Sequence, residues 1–222
     1  LKGFDIAAAA IPAREVGGDF YDFIEQDDNL QFVIADVSGK GVPAALFMAL
    51  SRIIIRACGA PRKEGFQRLK CANRMIVDDS GSATSGMFVT LFLAGLNRKD
   101  RSLIYANAGH NPPLLFRSGS KSIERLDVTG VALGMMADMD YEQRQVALEP
   151  GDVLLSYTDG IVEAMNHKEE FFGENRLRSS LASASNLSAQ EILDSVLRDL
   201  GQFTKGVEQS DDITAIVIKV ER

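Results

Sequence analysis

The chain has 222 residues, 45% of them hydrophobic and 25% charged, with a formal net charge of −7. That composition suits a soluble globular protein with a sizeable core. The acidic balance argues against nucleic acid or an anionic membrane as the main partner, and no apolar run approaches the length of a membrane span.

From the start, residues 4–11 (Phe-Asp-Ile-Ala-Ala-Ala-Ala-Ile) fit strand or helix, and Pro12 favours an extended exit. Asp19 to Ile24 alternates weakly, 26–29 is a turn, and Leu30 to Ala35 is a compact apolar run ending at Asp36, which predicts a β-hairpin. Asp19 and Asp36 then fall on neighbouring strands. Pro43 fits the first turn of a helix running from Ala44 to Ala57. That helix is apolar nearly all round, so it is read as covered by a partner element, with its Phe and Met in the core. A sharper reading gives one of its faces to a regulatory element.

A second helix is expected from Lys63 to Val77, with Phe66, Leu69, Asn73 and Ile76 near one face. Residues 78–85 read as a flexible loop. Met87 to Leu96 and Ser102 to Ala108 form a second predicted hairpin. The loop Gly109-His110-Asn111-Pro112-Pro113 leads to Leu114-Leu115-Phe116, and His110 is read chiefly as a loop-ordering residue, with proton donation as the sharper role. Gly119 turns another hairpin, Tyr141 to Leu148 alternates as a strand, and Val153 to Tyr157 is an apolar strand running to Asp159. After a polar loop over 163–170, helices are predicted near Glu174–Ala184 and Ser188–Phe203, the latter with capping-box spacing between Ser188 and Glu191. Ile213 to Val220 is a final β-branched strand.

Strands in hairpins with helices in two blocks imply an α+β architecture of antiparallel sheets covered by helices, in one domain over 1–222. Cys58 and Cys71 lie in helix-like segments outside any CxxC pair and are read as free buried thiols in a reducing compartment. His110 and His167 are too few and too scattered for a zinc site. The start lacks a signal-peptide pattern. Because the first residue is Leu, the chain is expected to be part of something longer, cytoplasmic in location, with any membrane tether in a preceding part.

Four acidic turns stand out: Gly17-Gly18-Asp19-Phe20-Tyr21-Asp22, Ala35-Asp36-Val37-Ser38-Gly39-Lys40-Gly41, Ser156-Tyr157-Thr158-Asp159-Gly160 and Ser210-Asp211-Asp212-Ile213-Thr214. Aspartate and glycine make turns on their own account. Gathered together, however, carboxylates raise one another's pKa unless a divalent cation holds them ionised, and oxygen-only ligands suit Mg²⁺ or Mn²⁺. The four turns are therefore read as the rim of one metal site.

The stretches PAREVGGDFYDF, ADVSGKGVPAALFMA, MFVTLFLAGL, YANAGHNPPLL, LEPGDVLLSYTDGIVEA, EFFGENRL and SDDITAIVIKV together resemble the metal-dependent protein phosphatases (the protein phosphatase 2C superfamily). More narrowly they resemble the bacterial SpoIIE/RsbU-type serine phosphatases. They occur in the family's order over nearly the whole chain. The resemblance implies two packed antiparallel sheets flanked by helices, an αββα sandwich, with two Mn²⁺ or Mg²⁺ ions. It implies Asp19, Asp36, Asp159, Asp211 and the Val37 carbonyl as metal ligands, with Asp36 bridging. Asp212 stands where many relatives carry Asn and is not expected to be a ligand. Arg14, five residues before Asp19, matches an arginine that grips phosphate in relatives outside bacteria; a surface ion pair is the competing reading.

The implied reaction is hydrolysis of a phosphoserine or phosphothreonine by water activated between the ions, catalysed by Asp19, Asp36 and Arg14. The implied substrate is an anti-sigma-factor antagonist of the STAS type, with an upstream sensor or receiver domain in control and homodimerisation left open. Two rivals remain at this stage. One is a non-catalytic phosphoprotein-binding module of the same fold; the other is a calcium-dependent structural module, disfavoured because the turns lack the alternating Asp/Asn loop of an EF-hand.

Overall fold

The computed structural model describes residues 3–26, 29–59, 65–79 and 86–221. In chain order its elements are β1 (Phe4–Ile11), β2 (Phe20–Gln26), β3 (Asn29–Val37), α1 (Val42–Cys58), α2 (Gly65–Asp79), β4 (Val89–Asn97), β5 (Ser102–Ala108), β6 (Leu114–Phe116), β7 (Ile123–Arg125), β8 (Arg144–Ala147), β9 (Val153–Tyr157), α3 (Asp159–Val162), α4 (Gly173–Ala184), α5 (Ala189–Phe203) and β10 (Ile213–Val220). They form two five-stranded antiparallel sheets, ordered β1-β10-β9-β6-β7 and β2-β3-β4-β5-β8, each with helices of its own. The chain divides accordingly into two compact units.

The first unit comprises the chain up to Ala13, Pro112–Leu126 and everything from Leu148 onward. The opening stretch that the pattern left ambiguous is a strand, because β1 pairs residue for residue with β10 from Phe4↔Val220 to Ile11↔Ile213. Alanine-rich segments take either form, and here the partner strand decides. Leu155, Tyr157 and Val217 of the sheet pack with Leu177 and Leu181 of α4 and with Ile192, Val196 and Leu200 of α5. The predicted capping box opens α5, with the Ser188 hydroxyl accepting from the Glu191 N–H and the Glu191 carboxylate accepting from the Ser188 N–H.

The second unit comprises Arg14–Asn111 and Asp127–Ala147. Its predicted hairpins hold, β2 with β3 and β4 with β5; the two central residues of the first turn, 27 and 28, lie outside the described residues. One sheet face, with Val33, Ala35, Leu91 and Ala106, packs under Ala44, Phe47 and Ile54 of α1 and Leu69, Ala72 and Ile76 of α2. Leu69, Asn73 and Ile76 are all buried, as the helical spacing predicts. On its outer face α1 leaves Val42, Leu46 and Ile53 more than 60% exposed.

Four expectations change in detail. Cys58 and Cys71 are not free thiols; they form a disulfide between α1 and α2, with Cα atoms 5.8 Å apart. Two helices packed side by side brought the cysteines within bridging distance, which 13 residues of sequence separation gave no means of seeing. The strand expected over 141–148 shrinks to β8, because Tyr141 is a buried core residue whose ring lies where a Cβ on Gly130 would stand, 2.5 Å away. The turn at Asp159 continues into the short helix α3. Of the loop expected over 78–85, residues 78 and 79 belong to α2 and the remainder lies outside the described residues.

Candidate functional site

Each unit holds two of the four predicted carboxylates. In the second unit Asp19 immediately precedes β2, and Asp36 is the penultimate residue of β3. The ladder between these strands closes with Phe20↔Ala35, so both aspartates stand one position beyond its last pair, on neighbouring strand ends. Both are half-buried. A Cβ on Gly18 would stand 3.2 Å from the Val37 carbonyl oxygen and 3.4 Å from the Ala44 Cβ. Glycine therefore lets the Asp19 turn approach the Val37 carbonyl and the first turn of α1 together. Asp36 pairs with Thr90 across β4. The Thr90 hydroxyl lies 2.9 Å from His110 Nδ1 and 3.5 Å from the Asp36 carbonyl. His110 is buried, and its N–H donates to the Asn107 side chain. This geometry fits the loop-ordering reading of His110, one link removed from the Asp36 backbone.

In the first unit Asp159 opens α3 directly after β9, and Asp211 lies two residues before β10. The Thr158 N–H donates to the Thr214 carbonyl, and the Thr214 N–H donates back to the Thr158 hydroxyl, both at 3.0 Å. A Cβ on Gly160 would lie 1.9 Å from the Asp212 carbonyl oxygen. Only glycine permits that approach, which brings the Asp159 turn against the Asp211-Asp212 turn. The Asp212 carboxylate accepts from the Ala13 N–H at 2.8 Å. Beside Asp211 a cleft of about 220 Å³ is lined by Ile11, Ala164, Met165, Leu200 and Val207 among others. A larger cavity of about 300 Å³, lined by Asn29, Gln31, Asn97 and Gln143, sits at the opposite end of β3 from Asp36 and has no bearing on these turns.

Arg14 is exposed, at the beginning of the second unit. Within either unit, and among the described residues, no three His, Cys, Asp or Glu groups form a cluster that could hold a metal ion on their own. Within each unit the two aspartates offer oxygen donors, in the second with the Val37 carbonyl nearby, and oxygen is the donor type Mg²⁺ and Mn²⁺ prefer.

The structure gives roles to residues to which sequence reasoning assigned none. Asp22, three positions into β2, is buried, with Arg52 donating at 3.1 Å and Arg56 donating to both of its oxygens. Burial pushes the Asp22 carboxyl up, but the hydrogen bonds and charges of Arg56 and Arg52 outweigh it and hold the group below its usual range. This pair of ion contacts ties α1 to the strand that Asp19 begins. Spacing offers a faint signal, since Arg52 and Arg56 are four apart on one helical face. Asn73 of α2 likewise holds the 134–137 segment, donating to the Met136 and Ala137 carbonyls and accepting from the Gly134 N–H.

Three comparisons bear on this arrangement. The family model described as Stage II sporulation protein E (SpoIIE) matches residues 26–221. Among characterised relatives, Protein IcfG of Synechocystis is 36% identical over 98% of this chain and 38% of its own length. The phosphoserine phosphatase RsbU of Bacillus subtilis is 30% identical over 98% of this chain and 64% of its own. The chain thus spans between about a third and two thirds of these relatives. Among solved structures, the SiaA-PP2C domain of Pseudomonas aeruginosa superposes with a TM-score of 0.85 at 25% identity, covering 96% of this chain and 85% of that one.

Proposed function

Since the chain belongs to the SpoIIE family and has the fold of the PP2C phosphatases, we propose that it is a metal-dependent protein serine/threonine phosphatase, the catalytic part of a longer regulated protein. On this reading residues 1–222 act as one phosphatase domain, and Asp19, Asp36, Asp159, Asp211 and the Val37 carbonyl hold two Mn²⁺ or Mg²⁺ ions. The observation that carries it is the combination of the family match with aspartates at strand ends where glycines permit close backbone approach. At Gly18 and Gly160 the close approaches leave no room for a side chain without a shift, which supports a reading in which these turns are built for their carboxylates and backbone oxygens.

When bound, the ions would neutralise phosphoryl charge and lower the pKa of a water that attacks phosphorus. The chain's own residues supply the rest. Asp19 and Asp36 orient from a rigid hairpin end. The Thr158–Thr214 hydrogen bonds and the Gly160 contact hold Asp159 and Asp211. Arg14, exposed and always charged, is proposed to grip the phosphoryl oxygens of the substrate with its planar fork. No serine, cysteine or aspartate nucleophile is required.

The similarity to RsbU supports a signalling phosphoprotein as substrate, proposed as an anti-sigma-factor antagonist of the STAS type. An upstream sensor or receiver domain is proposed to act through the exposed face of α1, where Val42, Leu46 and Ile53 form an apolar stripe. No helix among the described residues is long and apolar enough to cross a membrane.

The test is direct. The purified chain is incubated with a generic phosphate ester and with a phosphoserine-bearing STAS protein, in Mn²⁺, in Ca²⁺ and with chelator, alongside Asp36→Asn. Mn²⁺-dependent release of phosphate, lost in the variant, is the expected outcome. Phosphoprotein binding without turnover would replace the enzyme by a non-catalytic module.

A further inference from the structure

The bridge between Cys58 and Cys71 joins the last turn of α1 to the middle of α2. Its surroundings are unlike those of an inert staple. Arg68, three residues before Cys71, is 1% exposed. Its side chain lies across the end of α1, where Nη2 donates to the Gly59 carbonyl at 3.2 Å, one residue past Cys58. Its Nε and Nη1 have no hydrogen-bond partner among the described residues. A guanidinium stays charged in a protein, and a buried charge without a counter-charge is costly. Such a cation favours an anion beside it, and a cysteine next to a buried cation is stabilised as the thiolate, the form that attacks and leaves in disulfide exchange.

The second observation is mechanical. α1 is one 17-residue helix with the bridge at its end and Ala44 in its first turn, packed where Gly18 gives it room beside the Val37 carbonyl. Arg52 and Arg56 tie the same helix to Asp22, on the strand that starts at Asp19. A change in how α1 is held at Cys58 therefore reaches the Asp19 and Asp36 turns through a rigid element.

We propose that Cys58 and Cys71 form a reversible redox site, with Arg68 as the cation that stabilises the opened thiolate, and that its state sets how firmly α1 holds the Asp19–Asp36 end of the hairpin. The functional consequence rests on the phosphatase reading; the redox chemistry does not. In the opening step a thiolate of a dithiol reductant attacks Sγ of Cys71, the more exposed partner. The S–S bond breaks, a mixed disulfide forms and Cys58 leaves as thiolate. The reductant's second thiol then displaces Cys71 and closes its own disulfide. Two electrons pass to the protein with one proton, which goes from the reductant's second thiol to Cys71, while Cys58 stays a thiolate. With the bridge closed, α1 is constrained and the carboxylate turns are preorganised, so the oxidised form binds Mn²⁺ more tightly.

The test equilibrates the chain with dithiothreitol or with oxidised glutathione. It then counts free thiols by alkylation and mass spectrometry, follows hydrogen exchange in 42–58 and 65–79, and titrates Mn²⁺ by calorimetry. Two thiols should appear and disappear reversibly, and exchange should rise in both helices on reduction. Mn²⁺ affinity should fall about fivefold, the low end of ordinary coupling between sites, with Cys58→Ser and Cys71→Ser resembling the reduced chain. Arg68→Gln should slow reduction severalfold and Arg68→Lys should restore it. Thiols that never pair in oxidised glutathione overturn the proposal. So do unchanged exchange and Mn²⁺ affinity on reduction, which make the bridge a structural staple. If Mn²⁺ affinity follows the redox state while no phosphate ester is hydrolysed in either form, the redox site stands and the phosphatase reading falls.

Discussion

The two pairs of acidic turns are anchored differently. Asp159 and Asp211 sit in backbone that is locked on itself, through reciprocal Thr158–Thr214 hydrogen bonds and a contact at Gly160 too close for any side chain. Asp19 and Asp36 sit on a hairpin end tied to its surroundings through side chains, namely Ala44 of α1, the Asp22–Arg52–Arg56 ion pairs and, further along, the disulfide to α2. One pair is fixed by backbone and the other is held through side chains, each within its own unit.

The largest effect should come from the carboxylates themselves, and it should be equal in both regions. Asp36→Asn and Asp211→Asn should each reduce Mn²⁺-dependent turnover by more than about a hundredfold, beyond what loss of an outer-shell partner costs, with circular dichroism unchanged. A variant that keeps turnover would remove its half from the site.

Glycine substitutions sharpen the contrast. Gly160→Ala places a methyl 1.9 Å from the Asp212 carbonyl oxygen, backbone that cannot step aside. It should destabilise the chain by about 3 kcal/mol, the upper end of ordinary overpacking, and abolish most activity. Gly18→Ala meets the Val37 carbonyl oxygen at a milder 3.2 Å and should cost about 1 kcal/mol. Urea denaturation measures both, and equal costs would erase the distinction between the two pairs of turns.

Next comes the Asp22 cluster. The Asp22 carboxyl is held below its unfolded value, so its contribution is fully present above the unfolded pKa, about 4, and is lost as pH falls through the lower folded value. Arg52 and Arg56 are about half exposed, which screens the pairs and limits the contribution to roughly 1–2 kcal/mol. Asp22→Asn should lose that amount at pH 7 and show a shallower acid limb in pH-dependent denaturation. An unchanged limb would mean that α1 is not held through Asp22.

The smallest effect concerns the unit with the backbone-fixed pair. Ser188→Ala removes the α5 cap and should cost about 1 kcal/mol, measured as a lower midpoint in urea. Because Ser188 caps the end of α5 remote from Leu200, which lines the cleft beside Asp211, activity should be unchanged.

Much of this architecture could be read from residues. The two hairpins of the second unit, the Ser188–Glu191 box and the strand ends at Asp36 and Asp159 all follow local rules: alternation, capping chemistry and turn residues. The family resemblance added the ligand set, which spacing alone could not converge. What escaped reading was whatever depends on elements far apart in the chain. The β1 strand was undecided until β10 paired with it. The thiols looked free until α1 and α2 lay side by side. Tyr141 looked like a strand residue until it packed on Gly130.

The sequence by itself determined most of the strands and helices, where aspartates meet glycines, and which family the chain resembles, because those signals are carried by neighbours a few residues apart. Tertiary structure alone decided that Gly160 must face Asp212, that Asp22 is buried under two arginines, and that Cys58 meets Cys71 while Arg68 lies buried against Gly59. Those contacts arise from close packing of distant elements, where a shift of about one ångström separates contact from collision, and no local pattern encodes distances of that kind.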